Sequence, residues 1–379
     1  MRDPRYEKLA RLIIEYSLDL ERGASLRIDG SSVASPLILA LHRAALARGA
    51  HPYVNVEVEG LRERLVEEGS DEQLTFISPI ERNEVEWLDA VVTVWSEVNT
   101  RSFSRVDPLR QQQLIVTHRQ LAIRRRERIS RGEMKWCGTL SPTHAHAQEA
   151  ELSLEEYEDF VFRACHIHDD DPVAHWRGIS DQLRARAQSL ADARELRILG
   201  DDTDLRVVVD GRTWQPSSGT HNMPDGEVYT SPVETGTEGT IRFTFPALFE
   251  GREVEDVRLR FDGGRVVKAE AARGERYLNA LLDMDPGARV LGEAAFGLNY
   301  EIDRFTRNIL FDEKIGGTMH FALGMGFEDL GSHNQSALHW DLICDLRRDG
   351  EVYADGELIW RAGAFVGEPT SAVRAVERV

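Results

Sequence analysis

Ala90-Val91-Val92-Thr93-Val94-Trp95 is an uncharged run dominated by β-branched residues. A run so short and so continuously apolar reads as a strand buried on both faces, the kind that lies inside a parallel sheet covered by helices. Toward the N-terminus the pattern alternates. Leu9, Leu12, Ile13 and Tyr16 fall on one helical face, and Leu26-Arg27-Ile28 is a short strand. Residues 37–46 form a second helical stretch stopped at Gly49, followed by Tyr53-Val54-Asn55-Val56 and a helical pattern over residues 61–76. Beyond the valine run, helices are expected over residues 154–164 and 173–190. Residues 1–195 therefore read as an α/β domain with a parallel sheet. The arginines at 119, 124, 125, 126, 128 and 131 read as a solvated helix face.

From Glu195 the texture changes. Leu205-Arg206-Val207-Val208-Val209 and Ile241-Arg242-Phe243-Thr244-Phe245 alternate as strands, and Asp262-Gly263-Gly264 between two strand-like runs is a hairpin signal. One helix, residues 277–284, interrupts the strands. Residues 196–379 read as a strand-rich α+β domain.

The chain's 379 residues, 41% hydrophobic and 29% charged, suffice for two or three domains with real cores and exclude a disordered chain. Sixty-five acidic against 46 basic residues give a net charge of −19, which opposes binding to nucleic acid or to an anionic membrane surface. No stretch reaches the ~18 apolar residues of a membrane span. No apolar segment of a secretory signal follows Met1-Arg2-Asp3-Pro4-Arg5. Cys137, Cys165 and Cys344 are too few and too scattered for a disulfide framework or a thiolate zinc site. A cytoplasmic protein is expected.

Three histidine clusters compete for chemistry. His144 and His146 with Glu149, and His166 and His168 with Asp169, Asp170 and Asp171, have metal-like spacing but are expected in loops, where such residues cap helices and face water. His339-Trp340-Asp341 lies inside a strand-like run. Alternation places His339 and Asp341 on one face, with Trp340 and Leu342 on the other. A second apolar run, Thr318-Met319-His320-Phe321-Ala322-Leu323, carries His320 at its middle. Such groups satisfy one another inside a core, or they share a cation. Glu227 and Glu293 each follow a glycine and open an apolar segment. Two glutamates, an aspartate and two histidines without cysteine form a borderline-to-hard donor set, suited to a pair of Zn, Co or Mn ions. Glu234 and Glu238 read as exposed.

Gly226-Glu227-Val228-Tyr229-Thr230-Ser231-Pro232, Gly292-Glu293, the run from Phe311-Asp312-Glu313-Lys314 through His320 to Gly324, and His339-Trp340-Asp341 occur in this order. Together they resemble the thermophilic metalloaminopeptidase family, the group of aminopeptidase T and aminopeptidase S. Tyr157-Glu158-Asp159-Phe160-Val161 extends the likeness into the first domain. The resemblance implies that Glu227, Glu293, His320, His339 and Asp341 are ligands of a two-metal site, with Glu293 bridging. It also implies a homodimer enclosing a cavity, and removal of N-terminal residues from short peptides by a metal-activated water. Glu313 either acts as general base or pairs with Lys314. Phe327 stands where the family carries an active-site tyrosine. His333, Tyr229 and Tyr300 are the candidates to replace that hydroxyl.

Two other functions compete. His320, His339 and Asp341 alone could hold a single Fe(II), as in a ring-cleaving dioxygenase, and an aromatic-amine hydrolase on the same scaffold is a further possibility. An inactive binding protein is the third reading, opposed by the presence of all five ligands.

Overall fold

Strand Ala90–Trp95 lies at the centre of a five-stranded sheet, as its lack of charge requires. The computed structural model describes residues 3–367, apart from the side chain of Pro108. Across this sheet the order is His51–Glu57, Ser25–Ser31, Ala90–Trp95, Lys135–Leu140 and Asn222–Met223, and every pairing is parallel. Helix Ser35–Arg48 stops at Gly49, whose φ of 77° is the left-handed turn that glycine adopts without strain.

The helix expected over 61–76 is two helices, Leu61–Glu68 and Asp71–Leu74. Gly69 ends the first, and Ser70 opens the second with a reciprocal cap to Gln73, so local hydrogen bonding overrides the apolar spacing. Helix Pro79–Trp87 and strand Lys135–Leu140 lack a strong periodic signal and were not expected.

The arginine-rich segment forms helix Pro108–Ser130. Arg119, Arg126 and Arg131 are exposed as expected, but Arg128 is buried. It donates to the carbonyls of Val85, Leu88 and Glu133, satisfying oxygens at the end of helix Pro79–Trp87.

The described chain divides into two compact units, one of residues 3–177 with 219–224 and one of residues 178–218 with 225–367. The border falls within helix Pro172–Ser189, because Leu183 and Ala187 on its second half belong to the core of the second unit.

The second unit holds two large antiparallel sheets and a two-stranded antiparallel ribbon, Ala247–Phe249 with Arg252–Val254. One has eight strands, in the order Arg265–Glu270, Val257–Asp262, Thr237–Phe243, Thr203–Val208, Glu195–Gly200, Glu351–Ala354, Glu357–Arg361, Ala364–Phe365. The other has five, in the order His339–Asp345, Thr318–Gly324, Leu291–Gly297, Glu227–Thr230, Gln215–Ser217. Ile198, Leu205, Ile241 and Leu259 of the first share one apolar core with Phe296, Phe321, Leu323 and Leu342 of the second.

Candidate metal centre

Alternation along the five-stranded sheet decides which side chains meet. Val228, Phe296, Met319, Phe321, Leu323, Trp340, Leu342 and Cys344 enter the shared core. Glu227, His320, His339 and Asp341 therefore lie on the opposite face.

Glu293 reaches that face through a bulge. Leu291, Ala294 and Phe296 all belong to the core, which simple alternation forbids, and the register against Thr318–Gly324 slips between Leu291 and Glu293. Gly292 makes the slip possible: a Cβ there would lie 2.1 Å from the Met325 carbonyl oxygen. Gly226, with φ of 127°, is equally constrained, since its Cβ would meet Asn299 at 2.9 Å.

All five expected ligands come together. His320 Nε2 is 3.7 Å from Glu227 Oε2 and 3.6 Å from Glu293 Oε1. His339 Nε2 is 3.4 Å from Glu293 Oε2 and 3.7 Å from Asp341 Oδ1. The Nδ1–H of His320 donates to the Glu313 carbonyl at 2.8 Å, and that of His339 to the Met325 carbonyl at 2.8 Å. A carbonyl only accepts, so the proton of each neutral ring sits on Nδ1. Each Nε2 faces the carboxylates: protonated, it donates to them, and in the neutral ring its lone pair is open to a cation.

Glu227 Oε2 and Asp341 Oδ1 are enclosed and have no hydrogen-bond partner. Burying carboxylate oxygens in this way is costly unless a cation joins them. Donors about 2.0–2.2 Å from one tetrahedral ion stand roughly 3.3–3.6 Å apart, close to the separations observed here. The donor set therefore fits divalent metal.

The electrostatics point the same way. Burial raises the Glu227 and Asp341 carboxyls, the latter to about 6. Burial also opposes ionisation of Glu293, but hydrogen bonds from His320 and His339 outweigh it and hold its carboxyl near 2. Burial works against charging the two histidines, yet the carboxylates around them lift both to about 10. The cluster attracts positive charge.

Glu313 sits in the turn after helix Ile309–Asp312 and is half-buried. It pairs with the fully buried Lys314, and it also lies within ligand range of His320 and Asp341. Burial disfavours the Lys314 ammonium, but Glu313, Glu227 and Asp225 together keep it charged.

Phe327 stands edge-on to His339 at 5.6 Å and to Tyr229 at 5.3 Å between ring centroids. Tyr229 shares the face of Glu227. Burial raises its phenol pKa, and Glu293 and Glu227 raise it further. Tyr300 donates to the Gly363 carbonyl, and His333 is exposed. Of the three candidates, Tyr229 is the one placed beside Phe327.

Glu234, expected to be exposed, is half-buried instead. It accepts from Arg212, Ser332 and the His333 backbone and so fixes the loop after Phe327. Glu238 is exposed as expected.

The other histidine clusters resolve differently. His144 and His146 lie on helix His144–Glu149 rather than in a loop. His146 is buried, with Nε2 3.1 Å from Glu97 and Nδ1 3.1 Å from the Thr143 hydroxyl, while Glu149 pairs with Arg101. His168 is exposed, but His166 meets Asp169 and His175, a residue the sequence reading passed over.

A parallel-sheet α/β region, followed by antiparallel sheets that gather imidazoles and carboxylates on one face, defines a metal-dependent enzyme class. The profile of the thermophilic metalloprotease (M29) family matches residues 2–365. The chain belongs to that family: it is a metallopeptidase, a hydrolase that depends on divalent metal.

Aminopeptidase 2 of Geobacillus stearothermophilus is 28% identical over 96% of this chain and 98% of its own length. Aminopeptidase T of Thermus aquaticus is 36% identical over 38% of each chain. The solved structure of wild-type AmpT from Thermus thermophilus superimposes with a TM-score of 0.82, covering 96% of this chain and 99% of its own, at 24% identity, and confirms the fold. Among the described residues no helix is long and apolar enough to cross a membrane.

Proposed function

We propose that this metallopeptidase is an aminopeptidase that removes the N-terminal residue of short peptides, using two divalent ions of the Zn, Co or Mn class. The end-to-end match to a protein named an aminopeptidase supports the activity. The observation that carries the two-metal reading is Glu293, which turns one carboxylate oxygen toward His320 and the other toward His339. Glu227 and His320 would hold one ion, His339 and Asp341 the other, with Glu293 between them.

Bound cations of this kind polarise the scissile carbonyl and bring the pKa of a water toward neutrality. The chain's own residues do the rest. Glu313, with Oε1 engaged by Lys314, has Oε2 to accept the proton released by the attacking water and to return it to the leaving amine. Tyr229 takes the place of the hydroxyl absent at Phe327 and donates to the developing oxyanion. Carboxylates near the ions bind the substrate's free ammonium group. The proposal includes a cytoplasmic homodimer in which the second unit carries the catalytic centre. Family membership gives no support to the single-iron dioxygenase or the aromatic-amine hydrolase.

The test is metal counting with activity. Wild type should exceed the Glu293→Gln/Asp341→Asn variant by two equivalents of Zn, Co or Mn. Wild type should also cleave aminoacyl anilides and short free-amine peptides, lose that activity on chelation, and spare N-acetylated peptides. A one-equivalent difference would overturn the two-metal site. Equal cleavage of acetylated peptides would overturn the aminopeptidase reading.

A further inference from the structure

A second cluster, in the first unit, has the make-up of a cation site. His166-Ile167-His168-Asp169-Asp170-Asp171 forms the corner between helix Leu154–Ala164 and helix Pro172–Ser189. His166 takes a φ of 55°, and its ring stacks on that of His175, centroids 4.1 Å apart and planes 23° from parallel. Asp169 lies against both: its Oδ2 is 2.8 Å from His175 Nδ1 and 3.6 Å from His166 Nδ1. One donor atom from each of the three falls within 4.8 Å of the others. Asp169 Oδ2 is enclosed yet receives no well-directed hydrogen bond, despite the short approach of His175.

We propose that His166, Asp169 and His175 bind one divalent transition-metal ion of the zinc class, a site separate from the candidate peptidase centre. Two imidazoles and one carboxylate suit zinc and its neighbours rather than calcium or magnesium. Donors on one tetrahedral ion stand roughly 3.3–3.6 Å apart. The separations of 2.8 and 3.6 Å straddle that span, and the exposed His175 ring has to turn out of its stack on His166 for both imidazoles to meet one ion. A cation also gives the enclosed Asp169 oxygen, which receives no well-directed hydrogen bond, a direct ligand contact.

The corner is fixed before any ion arrives. Trp176 Nε1 donates to the Cys165 carbonyl at 2.9 Å, and Lys8 Nζ donates to the carbonyls of Ile167 at 3.2 Å and Asp169 at 2.8 Å. An ion here would pin the first turns of helix Pro172–Ser189 to the end of helix Leu154–Ala164.

The experiment uses the full chain. In the Glu293→Gln/Asp341→Asn background, stripped of metal and titrated with zinc chloride, calorimetry should find one remaining equivalent. Adding His175→Ala should abolish it, and Asp169→Asn should weaken it at least tenfold. His175→Ala in the otherwise wild-type chain should leave peptide turnover unchanged. Crystals of the unsubstituted protein grown with zinc should show an anomalous peak between the three side chains, a readout that needs no variant. No zinc bound in the double-variant background, zinc retained after His175→Ala, or a peak confined to the sheet centre would each overturn the proposal.

Discussion

Phe327 stands edge-on between His339 and Tyr229, so the ring beside the candidate metal ligands carries no hydroxyl while its neighbour does. An oxyanion donor acts mainly in the transition state, and its loss costs roughly 10²–10³ in rate. Tyr229→Phe is therefore expected to lower kcat about 10²-fold on short peptides, with KM and metal content nearly unchanged. Adding Phe327→Tyr to that variant should recover part of the loss. A Tyr229→Phe enzyme with wild-type kcat would remove Tyr229 from the reaction. Glu313 admits an equally sharp test, because it lies within ligand range of His320 and Asp341 and also pairs with Lys314. As a proton carrier, Glu313→Gln should lose roughly 10²–10⁴ in kcat while keeping its metal. Metal lost from that variant, measured by elemental analysis, would make Glu313 a ligand instead.

At the scale of single strands, the bulge at Gly292 turns Glu293 to the face that His320 and His339 share, while Leu291 stays in the core. Gly292→Ala forces a methyl against the Met325 carbonyl at 2.1 Å, where backbone must move. It is expected to cost about 1–3 kcal/mol in urea unfolding, as overpacking does, and to reduce bound metal as well. Full metal occupancy in this variant would show that the bulge does not position Glu293. Alternation along His339–Asp345 and Thr318–Gly324 was readable because each strand carries apolar residues on one face and ligands on the other. The bulge was not readable, since a register slip depends on the partner strand. The same limit hid strand Lys135–Leu140, whose sequence Lys-Trp-Cys-Gly-Thr-Leu has neither alternation nor a β-branched run. It also hid the meeting of His166 with His175, which requires the chain to turn back at a positive φ.

Over the whole chain, the change of texture at Glu195 was visible as a shift from helical to alternating periodicity. The return of residues 219–224 to the first unit was not, because a short strand added to the edge of a parallel sheet leaves little mark in composition. The second unit has its own core between two sheets and carries all five candidate ligands, so metal bound there should stabilise that unit selectively. A ligand present at about 100 times its dissociation constant adds about 2.7 kcal/mol to the state that binds it. Without metal, Glu227 Oε2 and Asp341 Oδ1 are enclosed carboxylate oxygens with no partner, and the cost of that burial falls on the strands that hold them. Hydrogen exchange on the chelated protein should therefore lose protection in Glu227–Thr230, Leu291–Gly297, Thr318–Gly324 and His339–Asp345. Strand Ala90–Trp95 of the first unit should keep its protection, and restored zinc should reverse the change. Unchanged exchange in those four strands would separate the metal from the stability of the sheet. Equal loss in Ala90–Trp95 would mean that the two units unfold as one.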